Sequence, residues 1–383
     1  MGKILEIEDL VLRFYTYEGV VKALEGINLF VEKGETLGIV GETGCGKTMT
    51  ALSIFNLIPS PGRIEGGRVL LQTENGPIDI LSQKEDVLRK IRGKTISMIF
   101  QEPGSALNPV YTVNDQVSEV FLVHQKKELV KNALDGLEED LKKESSMRFF
   151  YKLEKGIFKK MLKNPESFSW KVLSRIPIVR RYQNRLKTEM RKAVVNILRE
   201  MEIPDPERVT DMYPHELSGG MQQRVVIAMA LTCNPELLIA DEPTTSLDVT
   251  IQARILDLIR RLKDRFESSI IFITHDMGVI AEMCDRVAVM YAGAICEIAD
   301  VVEVFKNPLH PYAKALVESI PRPGEDFKSI EGTVPNLIEP PTGCRFHPRC
   351  PMAKEVCRRI RPKIVEVKKN RFVSCHLYRG QTK

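Results

Sequence analysis

The chain has 383 residues, 43% of them apolar and 28% charged, with a formal net charge of +5. That length holds two or three domains with their own cores, and that composition excludes wholesale disorder. The basic excess is local: positions 126–192 carry 19 Lys and Arg against 9 Asp and Glu, and the other positions carry 37 against 42, which argues against a nucleic-acid-binding protein.

The opening MGKILEIEDL shows no basic n-region followed by an apolar run, so no secretory leader is expected. No stretch approaches the ~20 apolar residues of a membrane span. ILEIEDLVLRF and INLFVEKGETLGIVG carry β-type patterns broken at Gly and charged turns. KTMTALSIFNLI has helical length and stops at Pro59-Ser60-Pro61-Gly62. TISMIF (95–100), ELLIADE (236–242), IIFITHD (270–276) and RVAVMYAG (286–293) are short apolar runs suited to buried strands. Helical patterns such as QQRVVIAMALT and VTIQARILDLIRRLKDRF separate several of them. The alternation predicts an α/β core with a largely parallel sheet. Strand signals vanish from 105 to 215, which predicts an inserted helical subdomain. The expected organisation is a core in two parts, 1–104 and 216–307, around that subdomain, followed by a C-terminal extension over 308–383. Within the subdomain an extra basic insert is expected at about 124–192.

Gly41-Glu42-Thr43-Gly44-Cys45-Gly46-Lys47-Thr48 fits G-x-x-x-x-G-K-[ST] between a predicted strand and a predicted helix. This is the pattern of a phosphate-binding loop. Its glycines let the backbone wrap a phosphate, and successive N–H groups at a helix N-terminus form an anion nest. Lys47 is expected to reach the β- and γ-phosphates, and the Thr48 hydroxyl to ligate Mg²⁺. Cys45 inside the loop reads as a small filler residue. LLIADEP ends a buried strand on two carboxylates. Beside a phosphate loop, Asp241 is expected to hold Mg²⁺ and Glu242 to activate water as general base. His275 ends the following run and is expected at the γ-phosphate.

Leu217-Ser218-Gly219-Gly220-Met221-Gln222-Gln223-Arg224 resembles the signature motif of ABC-transporter ATPases. The other motifs of that family stand in its order: the loop at 41–48, Gln101 in MIFQEP, the acidic strand end at 237–242, Ser246-Leu247-Asp248, and His275. The resemblance implies a P-loop ATPase in which two cassettes trap two Mg·ATP at a shared interface. Ser218, Gly219 and Gly220 of one cassette, with Asp248 nearby, would then meet ATP held by the other. Gln101 would sense nucleotide, complete the Mg²⁺ shell and link the site to the helical subdomain. The family places an aromatic platform for adenine about thirty residues before the loop lysine, and Tyr17 stands there, with Tyr15 as competitor.

The C-terminal segment contains Cys344, Cys350, Cys357 and Cys375, spaced C-x5-C-x6-C-x17-C. Stable disulfides are rare in the cytosol, where this chain is expected. Zinc usually takes closer Cys pairs, and the common ferredoxin spacing is also absent, so the residues alone leave zinc and iron–sulfur open. HPYAKALVESIPRP, PNLIEPPTGCRFHPRCP and the later CHLY resemble the C-terminal extension of oligopeptide/dipeptide-importer ATPases. That resemblance implies a [4Fe-4S] cluster on these four cysteines, with zinc as the alternative. It also implies an import motor at the cytoplasmic face of the membrane, peripheral to two permease subunits. Its other partners would be a second, related ATPase subunit and an extracytoplasmic solute-binding protein. Nothing in the chain contacts the solute, and kindred motors move oligosaccharides as well as peptides. A soluble ABC ATPase and an ATP-sensing regulator are the readings from other classes. A single cassette without sustained heptads weighs against the first, and Glu242 with His275 against the second.

One segment departs from the family pattern. FFYKLEKGIFKKMLK places Phe150, Leu153, Ile157 and Met161 on one helical face, with Lys152, Lys155, Lys159 and Lys160 between them. Such a face lies on an anionic membrane surface or packs on its own subdomain; packing is expected.

Overall fold

Continuous apolar runs in the sequence become the centre of a sheet in the computed structural model. It describes residues 2–73, 76–142, 148–163, 180–245, 247–321 and 329–378. The chain divides into two units: residues 1–101, 235–245 and 252–383 form one, and residues 102–234 and 246–251 the other.

The first unit holds twelve described strands: β1 (Lys3–Thr16), β2 (Gly19–Glu32), β3 (Thr36–Val40), β4 (Gly62–Thr73), β5 (Gly76–Asp79), β6 (Ile96–Ile99), β7 (Leu237–Asp241), β8 (Ser269–Thr274), β9 (Arg286–Tyr291), β10 (Ala294–Asp300), β11 (Val365–Lys368) and β12 (Arg371–Val373). Eight of them form one sheet in the order β11-β12-β10-β9-β3-β8-β7-β6. β9, β3, β8, β7 and β6 run parallel to one another, and β9 pairs antiparallel with β10. Every residue of β3, β7, β8 and β9 is buried, which is why these strands read as unbroken apolar runs rather than alternating ones. Parallel strands join through crossovers, so their C-terminal ends gather on one edge, where an α/β sheet presents its ligand site.

The four remaining strands form an antiparallel sheet, β2-β1-β4-β5. Its inner face, with Leu5, Ile7, Leu10 and Leu12 of β1 and Leu24 and Ile27 of β2, shares one core with Leu37, Ile39, Leu237 and Ile271 of the larger sheet. The prediction of a largely parallel sheet therefore covers only β9 to β6 of the larger one, the other three strands being antiparallel. β4 escapes sequence reading because Gly66-Gly67 interrupts its pattern. Gly67 (φ +93°) lies so close to β1 that a Cβ there would stand 2.5 Å from Leu10 Cα. The extension does not stand apart either. β12 pairs antiparallel with β10, Glu297 opposite Val373, and β11 pairs with β12.

The helical unit begins at Glu102 rather than at 105. It also claims the helix Gly219–Leu231, which the sequence reading placed in the second part of the core. In this unit Thr112 and Asp115 cap the helix Val113–His124 with a reciprocal pair of side-chain-to-backbone bonds. The basic insert supplies Lys126–Lys142, Arg148–Lys163 and the start of Arg180–Glu200. Phe158 and Met161 are buried against Val130, Ala133, Leu134 and Leu137. Lys155 pairs with Glu138 at 2.6 Å, while Lys152, Lys159 and Lys160 are exposed. The apolar face is thus spent on the neighbouring helix, in line with packing rather than a lipid contact. The side chains of Phe150 and Leu153 lie outside the described residues, as does Ser246. Among the described residues, no helix is long and apolar enough to cross a membrane.

Candidate functional site

The phosphate loop follows β3 and ends where the helix Lys47–Ile54 begins. Its shape needs glycine. Gly46 turns at φ +103°, and a Cβ on Gly41 would meet the carbonyl oxygen of Met290 at 2.1 Å. The Cys45 thiol is fully buried beneath the loop and its pKa is pushed up to about 11 by that burial, so it fills space as a neutral group. The Lys47 ammonium folds back into the loop and donates to the carbonyls of Gly41 at 2.8 Å and Glu42 at 3.3 Å. It is 6% exposed, with its head already where an incoming phosphate chain would lie.

β7, two strands from β3 in the sheet, delivers both carboxylates. Asp241 is 2% exposed, and burial raises its pKa to about 6, against the opposing pull of a hydrogen bond to the Thr48 side chain. Its Oδ1 is buried with no hydrogen-bond partner among the described residues. An orphaned carboxylate oxygen beside a threonine hydroxyl is a donor set that fits Mg²⁺. Glu242 follows at φ +46°, and this turn swings its side chain toward the loop. Its Oε2 accepts from Gln101 Nε2 at 3.2 Å and from Thr245 Oγ1 at 3.0 Å, and lies 3.3 Å from His275 Nδ1. Its Oε1 is 4.0 Å from Lys47 Nζ. Glu242 therefore collects Gln101, Thr245 and His275 at the mouth of the loop. Thr245 was missed by the sequence reading, although it stands in the same DEPTT run.

Gln101, Glu242, Thr245 and His275 line one cavity of about 780 Å³ with the loop, and Asp241 lies beneath it, outside the lining. Residues 41–44 and 46–48 form its polar end; Phe14, Val21, Ala23, Leu316 and Leu337 supply apolar walls. Tyr17 is not among its lining residues. It stands at the turn between β1 and β2 and is 98% exposed, while the Tyr15 hydroxyl donates to the Glu65 carboxylate.

The signature residues belong to the helical unit and do not line this cavity. The Ser218 side chain accepts from the Met221 N–H at 3.4 Å and so caps the helix Gly219–Leu231. Ser218 and Gly219 are exposed. A Cβ on Gly220 would come within 2.9 Å of Ile251 Cγ2, so the close approach of that side chain needs glycine. Exposed Asp248 accepts from the Ile251 N–H at 3.0 Å.

None of the eight cysteines is in a disulfide. Cys344, Cys350, Cys357 and Cys375 lie in one region of the extension. The Cys357 carbonyl accepts from the Cys344 N–H at 2.8 Å, and the other three thiols all help to raise the pKa of Cys344, after burial. Yet among the described residues no group of three or more His, Cys, Asp or Glu side chains stands ready to hold a metal ion. The expected metal-ligand set is corrected to that extent. The four thiols lie in one region and are partly buried, and burial raises the pKa of Cys344, Cys350 and Cys375, but they are not closed on a common centre. His347 and His376, which adjoin two of them, direct one ring nitrogen each at a backbone carbonyl.

Comparison with known proteins agrees with the geometry. Residues 24–245 match the model of the ABC transporter family, and residues 296–357 match the oligopeptide/dipeptide transporter C-terminal region. The dipeptide transport ATP-binding protein DppD of Bacillus subtilis is 41% identical over 366 residues, 94% of this chain and 91% of that one. The oligopeptide transport ATP-binding protein AppD of the same organism is 39% identical over 382 residues, covering 99% and 98%. Among solved structures, a dimeric ATP-binding cassette bound to ADP and Pi superposes with a TM-score of 0.53 at 23% identity, over 78% of this chain and 98% of that one, which speaks to fold alone. CbiO1 from Clostridium perfringens, part of an ABC transporter complex, gives 0.52 at 26% identity over 80% and 92%. With the cassette model spanning more than half of its length and relatives aligned nearly end to end, the chain belongs to the ABC transporter family as one of its ATP-hydrolysing subunits.

Proposed function

We propose that this subunit drives import of oligopeptides or dipeptides through a pair of permease subunits. It would work with a second cassette and an extracytoplasmic solute-binding protein, docked on the cytoplasmic face of the bilayer. The cargo is argued from the printed functions of the relatives and from the matched C-terminal region. The catalytic reading rests on one observation, the convergence of Gln101, Thr245 and His275 on Glu242.

Lys47 and the loop N–H groups bind the phosphate chain of ATP. Thr48 and Asp241 would hold Mg²⁺, which neutralises charge on the β- and γ-phosphates. Glu242 takes a proton from water as its oxygen attacks the γ-phosphorus and the bond to the ADP oxygen breaks. Gln101 and His275 hold that carboxylate and the water it activates in line. Ser218, Gly219, Gly220 and Asp248 face the ATP of the partner cassette. Tyr17, exposed in the isolated subunit, is left as a platform for the base once nucleotide arrives.

The four tail cysteines are assigned to a [4Fe-4S] cluster rather than zinc. A zinc ion draws four sulfurs to about 2.3 Å from one point, whereas each cysteine of a four-iron cluster binds a separate iron and its sulfur stands farther out. The reading is supported by the resemblance of the extension and by the placing of the four cysteines in one region of it. Iron and sulfide content of anaerobically purified protein, lost on Cys350→Ser, tests this assignment.

Glu242→Gln tests the motor. Turnover with the cognate cassette and permeases is expected to fall by about 10²–10⁴-fold while Mg·ATP binding persists. Undiminished turnover in this variant overturns the catalytic assignment.

A further inference from the structure

Arg349 lies one residue before Cys350, yet its guanidinium is spent on the phosphate loop 307 positions away. Its Nη1 donates to both carboxylate oxygens of Glu42, at 3.0 and 3.1 Å. It also reaches the Tyr291 hydroxyl at 3.3 Å, while Nε and Nη2 donate to the carbonyls of Glu331 (2.7 Å) and Ile330 (3.2 Å). The side chain is 6% exposed. Glu42 is gripped elsewhere too. Its N–H donates to the Tyr312 hydroxyl at 3.0 Å, and its carbonyl accepts from Lys47 and from the Cys45 N–H. Tyr291, Tyr312 and Phe346 pack as a trio behind it, with ring centroids 4.6 to 5.2 Å apart. Farther along the same cavity, Leu337 lines the apolar wall, and its carbonyl accepts from the Lys22 N–H at 2.8 Å, tying the extension to β2.

Glu42 is an acid placed inside an anion-binding loop. Left alone, its carboxylate repels a polyphosphate and opposes the nest of N–H dipoles. A buried guanidinium whose Nη1 bridges both carboxylate oxygens cancels that charge and fixes the residue that carries it. Removing only the cation leaves the carboxylate's charge, 28% exposed, unopposed beside the phosphates.

We propose that the cysteine-bearing extension is a working wall of the nucleotide site: Arg349 is a positioning residue that neutralises Glu42 and sets the phosphate loop, and Leu337 packs on the nucleoside. The inference rests on the loop being the ATP site, and it extends the extension's role from its cysteines to nucleotide affinity.

The test measures equilibrium binding of Mg·ATP and of inorganic tripolyphosphate to the full-length protein. Arg349→Ala is expected to weaken both by at least about tenfold, as for a partly buried charge pair cut on one side. Arg349→Lys should recover part of the loss. Glu42→Ala combined with Arg349→Ala should return most of the affinity that Arg349→Ala loses, an outcome that a collapsed extension does not give. Leu337→Ala should weaken ATP and leave tripolyphosphate unchanged. In steady state the Arg349→Ala loss should appear in KM, with kcat at saturation little altered. Arg359→Ala, which removes an exposed pair with Glu355 in the extension, should change neither ligand. Equal losses in Arg359→Ala and Arg349→Ala, or a double variant no better than Arg349→Ala, overturn the proposal. If Arg349→Ala does not fold, the comparison of Arg349→Lys and the double variant with the native chain decides. Lys47→Ala separates the two levels: binding retained there sinks the ATP-site reading itself, whereas binding lost there but kept in Arg349→Ala sinks only the role of the extension.

Discussion

Asp241 and Glu242 are adjacent carboxylates in opposite surroundings. Glu242 accepts from neutral donors at the mouth of the cavity, whereas Asp241 is buried with one oxygen unpaired. Burial lifts the Asp241 pKa to about 6, above the ~3.9 of an unfolded chain. Between those values the folded state keeps a proton that the unfolded state has lost. Without Mg²⁺, stability therefore falls as pH rises through that window, by up to about 3 kcal/mol, and the penalty is complete above pH ~6. Asp241→Asn is expected to raise the metal-free melting temperature at pH 7.5 and to abolish the extra stabilisation that Mg²⁺ adds to bound ATP. Calorimetry with and without Mg²⁺ checks both, and an unchanged melting temperature refutes the buried-charge account. At this scale the sequence was most legible where chemistry is contiguous. The loop at 41–48 and the pair at 241–242 each announce themselves in a few residues. Arg349, Leu337 and Phe14 do not, because folding brings them to the site from far along the chain. Tyr17 satisfies a spacing rule and stands exposed at the turn between β1 and β2, outside the cavity lining.

The helix Pro311–Glu318 shows how an element can store a pH response. Its cap is His310, 2% exposed, whose Nδ1 accepts from the Tyr312 N–H at 3.0 Å. The His310 N–H itself donates to Glu297, which also faces Arg371. Burial lowers the imidazole pKa from about 6.5 to about 4. The neutral ring's contribution is fully present above pH 6.5 and is lost as pH falls toward 4, up to about 3 kcal/mol, because charging the ring turns its acceptor into a donor. His310→Asn keeps a cap that cannot charge. Its stability should depend less steeply on pH between 6.5 and 4 than that of the native chain, in urea unfolding monitored at several pH values; parallel curves refute the idea. Neither this cap nor the antiparallel sheet was legible. A lone histidine carries no pattern, and β4 is broken by glycines that packing demands. The helix Val249–Phe266, by contrast, matches its predicted run end for end, since its 3.6-residue period survives without knowledge of what it packs on. The insert lies between these cases. Its apolar stripe was visible, but that Phe158 and Met161 pack on Lys126–Lys142 was decided by tertiary structure.

For the whole molecule, strand signals fade after the first hundred residues, and the second unit, 102–234 with 246–251, starts earlier than the expected 105 and takes in the helix Gly219–Leu231. The cysteine-bearing extension was the larger surprise. It looked like an appendage because Pro, Gly and Cys carry no period, yet its two strands complete the principal sheet and its arginines reach the core. Arg345, 7% exposed, pairs with Glu25 at 2.9 Å and donates to the Ala292 carbonyl.

The pairing of Glu297 with Val373 spans 76 positions and bears on how the protein is made. As the chain leaves the ribosome, β10 emerges long before the strand that covers it, and it waits with an unsatisfied row of amides on an apolar sheet. Chaperones have that interval to guard. A version cut short before Val365 would keep every ATP-contacting motif but carry the bare row permanently, and we expect it to sediment as aggregates, where the intact chain stays dispersed in the same lysate.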